Sequence, residues 1–287
     1  MSRLQGPRRA GGRRPPRGVT LVELVVVLTI VGLVASLGAT LVGRVVAGRQ
    51  AQHGRLTLAM AADGALARVA DELQQALPNS LRVSDSGGGF WVEWVPVLDG
   101  GRYRLAPDTV AADPGDPLDL EDAADDGFDV IGQPLAALAA GSQLVLHNLG
   151  VPEADAYTGS NRRAGLLATS GGRHLRFTPA GALPAATGSP RFQIVGTPVS
   201  LGCVASGSGW ELRRYSGYGW LAAQPVAPGS MAGAQSTLLL SGLAACSASY
   251  GSALANIGLL TLQLGLTEPA GGARMSLLQQ LAVDNTP

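Results

Sequence analysis

No side chain between Leu24 and Gly43 carries a charge, and Val, Leu, Ile, Ala and Gly dominate the run. At about 1.5 Å per residue, a helix over these positions reaches about 30 Å, the thickness of a bilayer hydrocarbon core. Beyond it the pattern changes while the period stays helical. Ala62, Leu66, Val69, Leu73 and Ala76 recur at three- and four-residue steps, with Arg68, Asp71, Glu72 and Gln75 between them, which predicts an amphipathic helix. Pro78 should end it, because the residue before a proline is pushed out of helical geometry. One nearly continuous helix from Thr20 to Leu77, about 85 Å long, is therefore predicted. Gly32, Gly38, Gly43, Gly48, Gly54 and Gly64 weaken it by about 1 kcal/mol each relative to alanine, so bending or local melting is expected near the membrane exit.

After Pro78 the chain switches to short runs with strand character, separated by Gly, Pro, Ser and Asp. Phe90 to Val97, Gln143 to Asn148, His174 to Thr178, Arg191 to Val199, Trp210 to Tyr215, Ser236 to Leu240 and Leu259 to Leu266 are the candidates, and they predict an antiparallel β body. Asp108 to Asp129 holds nine acids and two prolines in 22 residues and is expected to be a long exposed loop. The fold class that follows is α+β, a long N-terminal helix packed on an antiparallel β-sheet domain.

Charge sharpens the picture at one end only. The 287 residues have formal net charge zero, yet residues 1–18 hold six arginines (Arg3, Arg8, Arg9, Arg13, Arg14, Arg17) and no acid. The rest of the chain is mildly acidic. A nucleic-acid footprint needs basic residues on a folded face, whereas this cluster is a Gly/Pro/Arg tail ahead of an apolar run, so no nucleic-acid partner is expected. By the positive-inside rule the tail stays in the cytoplasm and everything after Arg44 lies outside it. The apolar run is too long for an ordinary cleaved signal and is expected to remain as the anchor. The resulting division is a basic leader at 1–18, a transmembrane helix at 19–43 in contact with lipid, an amphipathic helix at 44–77 and a β-rich domain at 78–287 with the acidic loop at 108–129.

Two cysteines, Cys203 and Cys246, make up the thiol inventory and show no metal-binding spacing. In an exported domain pairing is the favoured reading, and closing a loop of about 40 residues contributes about 3–4 kcal/mol in the chain-entropy model. Two buried free thiols are the other reading. Asp122, Asp126 and Asp129 stand in a segment reminiscent of a calcium loop, but Ala124 and Gln133 occupy positions where such a loop needs oxygen ligands, so a solvated acidic loop is the better reading and no cofactor is expected. His53, His147 and His174 are scattered, with no nucleophile–base pair, and none of the hydrolase, zincin or nucleotide-binding motifs is present, so no enzymatic activity is expected. Trp91, Trp94, Trp210, Tyr215, Tyr218 and Trp220 could form a sugar-stacking surface, although core packing is the simpler assignment.

The informative residues are Gly18-Val19-Thr20-Leu21-Val22-Glu23, followed at once by the apolar run. A carboxyl so close to hydrocarbon is costly and needs a cationic partner. Cleavage between Gly18 and Val19 would create one, because the new α-amine of Val19 on one subunit can meet the Glu23 carboxylate of its neighbour.

This segment resembles the leader and helix start of type IV pilins and pseudopilins, in which a glycine is followed by FTLIEL; here Val19 stands where phenylalanine is usual. The resemblance implies cleavage after Gly18 by a prepilin peptidase, N-methylation of Val19 and packing of the apolar helices in a filament core, with Glu23 as the assembly contact. Five further segments, LHNLGVPEADAYTGSNRRAGL, SPRFQIVGTPVSLGC, ELRRYSGYGW, ACSASYG and SLLQQLAVDNTP, resemble in order the MshO-type minor pilins of the mannose-sensitive haemagglutinin (MSHA) pilus system. In that family two cysteines fall where Cys203 and Cys246 do. The implied role is a structural minor subunit that primes or assembles the pilus, held by a single pass in the bacterial inner membrane with its body in the periplasm. Its implied partners are major and minor pilins, the prepilin peptidase and the inner-membrane assembly platform. A pilus-displayed adhesin and a type II secretion minor pseudopilin are the alternatives.

Overall fold

The computed structural model describes residues 18–184, 189–254, 256–267 and 274–286. The basic leader, Gly18 apart, lies outside the described residues. Two compact units divide the chain, one ending at His53 and the other beginning at Gly54. A single helix, α1 (Leu21–Gln74), contributes to both.

In the first unit the helix is exposed along its length and is long and apolar enough to cross a membrane. It is unbroken at Gly43, Gly48 and Gly54, so the expected local melting is absent. Glycine lowers helix propensity through backbone entropy but keeps its N–H, which weakens the ladder without removing a rung.

The fold class is the one predicted, a long helix with an antiparallel β domain. Among the described residues the body has β1 (Arg82–Ser86), β2 (Gly89–Trp94), β3 (Val97–Tyr103), β4 (Gly127–Ile131), β5 (Gln143–Leu146), β6 (Arg162–Arg163) and β7 (Leu167–Thr169). It continues with β8 (His174–Arg176), β9 (Arg191–Val195), β10 (Val199–Ser206), β11 (Gly209–Ser216), β12 (Gln235–Leu254), β13 (Ile257–Thr267) and β14 (Arg274–Asp284). These form two seven-stranded sheets, ordered β1-β2-β10-β11-β12-β13-β14 and β6-β5-β9-β3-β4-β8-β7.

The first sheet is the floor for the second half of the helix. Ala62, Ala65, Leu66, Val69 and Leu73, one face at three- and four-residue steps, are buried against Phe90, Val92 and Trp94 of β2, Leu201 of β10, Leu212 of β11 and alternate leucines of β13. Each fully buried Leu or Val stabilises by about 1.5–3 kcal/mol, so Leu73→Ala should cost about 2–5 kcal/mol. Helical bonding ends at Gln74 rather than Leu77: Leu77 precedes Pro78, and its N–H goes instead to Val95 O at 2.8 Å.

Two predicted strands each turn out to be two, in different sheets. Phe90 to Val97 divides at Pro96 into β2 and β3, and Arg191 to Val199 divides at Gly196–Pro198 into β9 and β10. Proline has no N–H for a ladder, and the two crossings are tied together by Gly196 N–H to Pro96 O at 3.0 Å. The acidic stretch also differs from expectation. Gly127–Ile131 is β4, and Leu118 is buried in the core of the second sheet, so the 108–129 segment is pinned rather than wholly exposed.

β12 runs for 20 residues and changes partner along its length. Its first part pairs with β11 and its second with β13, with register shifts near Gly242, whose φ of 73° suits glycine. On the opposite face of the sheet from the helix, Trp91 lies over Gly202, where a Cβ would sit 2.6 Å from the indole ring.

Candidate functional site

The start of α1 is built by two residues of the leader junction. Thr20 caps it: its Oγ1 accepts the Glu23 N–H at 3.3 Å and its carbonyl accepts the Leu24 N–H at 3.1 Å. Thr20 and Glu23 have the T-x-x-E spacing of a capping box, a signal present in the sequence but overshadowed there by the cleavage motif. The Glu23 carboxylate also sits in the first turn, where the helix dipole favours negative charge.

Gly18 and Val19 precede the helix in exposed, irregular chain, and Val19 is 69% exposed. A Cβ built on Gly18 meets nothing within 4 Å. Neither packing nor backbone geometry therefore demands glycine at this position, and the reason for it has to be sought outside the fold. Gly18 and Val19 thus stand exposed next to a capped helix.

The two cysteines meet. Cys203 on β10 and Cys246 on β12 are disulfide-bonded with Cα atoms 6.6 Å apart, across strands that are not neighbours in the sheet. The bridge lies in the core beneath the helix, with Cys203 2% and Cys246 7% exposed.

The calcium candidates are occupied by protein partners. Asp126 is ion-paired with Arg176. Asp122 Oδ1 accepts the Ala124 N–H at 2.8 Å. Asp129 Oδ2 accepts from Arg104 Nε at 3.2 Å and from the Asp116 N–H at 3.0 Å, while Oδ1 faces His174 Nδ1 at 3.1 Å. Burial pushes the Asp129 carboxyl up, but the Asp116 N–H, His174 and Arg104 together outweigh it and hold it below the usual aspartate value. Its neighbour Asp116 goes the other way: burial raises it, His174 opposes, and the nearby Asp125, Asp129 and Asp126 add to the rise. Among the described residues no three His, Cys, Asp or Glu side chains are grouped to hold a metal ion.

The histidines remain apart. His53 lies on α1, His174 joins the acidic cluster, and buried His147, at φ 50°, meets Tyr103 Oη at 3.0 Å. Most of the aromatic candidates are core: Trp91, Trp94, Tyr215 and Tyr218 are each under 9% exposed. Trp220 has Arg162 over its ring, the guanidinium carbon 3.8 Å from the centroid, and meets Tyr157 edge-on at 6.1 Å. Of the six aromatic candidates, Trp210 and Trp220 are half-buried and the other four are buried.

A buried charged cluster has almost no local signal in the sequence. Glu93 on β2 is fully buried; its Oε2 accepts from Arg82 Nε at 3.0 Å and its Oε1 from Tyr218 Oη at 2.9 Å. Burial raises the Glu93 carboxyl, with Arg82 and Tyr218 opposing. Arg82 also lies 3.5 Å over the Tyr157 ring, so the 148–163 and 217–224 loops, distant in sequence, are held to one corner of the first sheet. The only sequence signal was a charge at an inward position in Phe90-Trp91-Val92-Glu93-Trp94.

No curated protein and no solved structure matches the chain. Residues 13–39 match the prokaryotic N-terminal methylation motif, and that span contains Gly18, Val19, Thr20 and Glu23. The motif, of type IV prepilin kind, and the one helix among the described residues that is long and apolar enough to cross a membrane support a membrane-anchored, single-pass, type IV pilin-like protein.

Proposed function

We propose that this chain is a minor pilin: a structural subunit, not an enzyme, that primes or joins the assembly of an MSHA-type type IV pilus. It enters the inner membrane with the arginine-rich leader in the cytoplasm and the β domain in the periplasm. A prepilin peptidase removes residues 1–18 and the Val19 amine is methylated. Glu23 then compensates the Val19 amine of an adjoining pilin, and the exposed apolar face of α1 packs among the helices of other subunits. The observation that carries this reading is Gly18 itself, a glycine without a local structural reason, exposed directly before a capped helix with a carboxylate in its first turn. The body of more than 200 residues is bulky for the repeating position of a thin filament, which favours a minor position over the major one.

Intact-mass measurement and N-terminal sequencing of protein extracted from membranes test it. The expected mature chain begins at methylated Val19. A chain that keeps Met1, or is cut beyond the apolar run, would overturn the proposal.

A further inference from the structure

Like charges directly opposite one another on paired strands repel and destabilise the pair. The second sheet carries such a pair. Arg102 of β3 stands opposite Arg191 of β9 on one side and opposite Ile131 of β4 on the other, so the three form one row across the sheet, on the face turned away from Tyr103, Val130 and Phe192. Both arginines are exposed, and Ile131 is 42% exposed. Among the described residues no carboxylate is ion-paired with either arginine, in a body that is otherwise mildly acidic. The converse lies between Arg104 and Leu118, a loop closed at its base by Leu118 N–H to Arg104 O at 3.0 Å. Residues 105–114 are all exposed, and Val110 is 93% exposed. The loop is ordered by its own aspartates. Asp108 Oδ1 accepts the Val110 and Ala111 N–H groups at 2.8 and 3.1 Å, Asp113 Oδ1 accepts the Gly115 N–H at 3.0 Å, and the Asp108 N–H goes to Pro114 O at 2.7 Å. Neither aspartate is ion-paired with an arginine among the described residues.

We infer that this loop docks on the Arg102–Arg191 row of a second copy of the chain, with Val110 against Ile131 and the Asp108 and Asp113 carboxylates against the two guanidinium groups. Each side of the contact is an exposed apolar residue beside two like charges, and the charges are opposite in sign between the two sides. The repulsion between Arg102 and Arg191 is relieved only when anions reach them, so the row is better compensated in the pair than alone. The loop gives up little freedom on docking, because its hydrogen bonds already fix its shape. A bare anion or a phosphate surface would satisfy the arginines but leave Val110 and Ile131 in water, whereas a second copy covers all of them. Copies turned about the membrane normal keep both anchors pointing the same way, so the contact joins chains held in one membrane. It lies between the β bodies, is separate from the Glu23 contact, and rests on the pilin reading only for that shared anchoring.

Cysteine crosslinking of full-length chains in membranes tests it, with Val110→Cys and Ile131→Cys placed on separately tagged, co-expressed copies. The native thiols are already paired, so the introduced ones report alone. Mild oxidation is expected to link the two kinds of chain, because side chains in contact bring their Cβ atoms within disulfide range. Val110→Cys alone and Ile131→Cys alone should give much less dimer, since neither residue meets its own counterpart. Arg102→Glu in the Ile131→Cys chain should cut the mixed dimer about tenfold, whereas Arg274→Glu, on the other sheet, should leave it unchanged. A separate measurement guards against misfolding. Arg102→Glu sets opposite charges face to face across β3 and β9, so the urea midpoint of that variant should hold or rise while its dimer falls. Equal yields of mixed and like dimers, crosslinks only to other proteins, equal losses with Arg102→Glu and Arg274→Glu, or a lowered midpoint for Arg102→Glu would each overturn the proposal. Intact mass is read on the same samples: a chain that matures at Val19 but gives no mixed dimer overturns this contact and leaves the pilin role standing.

Discussion

Arg214 Nε on β11 donates to both carboxylate oxygens of Glu72 on α1, at 3.0 and 2.8 Å. The two side chains are 22% and 25% exposed, and Arg68, one helical turn earlier, reaches Glu72 Oε1 at 3.4 Å. The pair therefore fastens the polar margin of the helix to the sheet whose apolar centre it already covers. Partial burial puts its worth between that of a surface pair and a buried one.

Arg214→Met should accordingly lower stability by about 1–3 kcal/mol, chiefly because it leaves Glu72 largely desolvated with only Arg68 beside it. Glu72→Gln, which keeps a hydrogen bond, should cost less. Chemical unfolding followed by tryptophan fluorescence reads this, since Trp94 lies in the same core. A double-mutant cycle with purely additive effects would show that the pair does not couple helix to sheet.

The disulfide makes a second stability claim. Bridging residues 43 apart contributes about 4 kcal/mol in the chain-entropy model, and the Cys203→Ser/Cys246→Ser chain should be destabilised by roughly that amount. Non-reducing peptide mapping should recover one linked pair, and two alkylatable thiols in the native protein would contradict the bridge.

The acidic cluster predicts a pH response. The Asp129 carboxyl is held below its ordinary value in the folded chain, so its contribution is fully present above the unfolded value near 3.8 and is lost as pH falls through the lower folded value. Asp129→Asn should therefore destabilise by about 1–2 kcal/mol at pH 7, the scale of a charged hydrogen bond discounted for partial exposure. The difference from the unaltered chain should shrink below about pH 4. A gap that stays constant from pH 7 to pH 3 would mean that the Arg104 and His174 contacts do not stabilise the charged form.

How far such features can be read from sequence depends on whether the signal is local. The anchor and the amphipathic face of α1 are legible, because absence of charge over Leu24 to Gly43 and the spacing of Leu66, Val69 and Leu73 each occupy a single helix. The β class is legible from turn residues between short apolar runs. β14 and the second half of β12 are not, since Ser, Ala, Gly and Gln are weak strand formers held in place by cross-strand register with β13. The division into two sheets had its signal in Pro96 and Pro198, inside runs that otherwise look continuous. Glu93 and Arg82 are only 11 residues apart, but nothing local announces that Tyr218 and the Tyr157 ring complete their surroundings. At the N-terminus the same residues carry two messages, a cleavage motif and a helix cap, and the structure makes the second visible.

That double role decides how Glu23 must be tested. Its backbone N–H is held by Thr20 whatever the side chain, but a capping box also uses the side chain at this position, and glutamine serves there as well as glutamate. Glu23→Ala therefore removes both a capping group and a charge, whereas Glu23→Gln removes the charge alone. If the carboxylate acts only on the helix start, Glu23→Gln should behave as the unaltered chain and Glu23→Ala should show a modest loss of about 0.5–1 kcal/mol in helix stability. If it compensates the Val19 amine of a neighbour, both variants should insert, be processed after Gly18 and fold their disulfide-bonded domains, yet both should assemble poorly, because a neutral amide compensates a cation only in part. We expect the second pattern, with co-purified pilins and surface filaments reduced about tenfold or more in both strains, corresponding to a loss of at least about 1.4 kcal/mol. Counting both beside a deletion strain is the measurement. Wild-type levels with Glu23→Gln would assign the carboxylate to capping and remove it from the assembly contact.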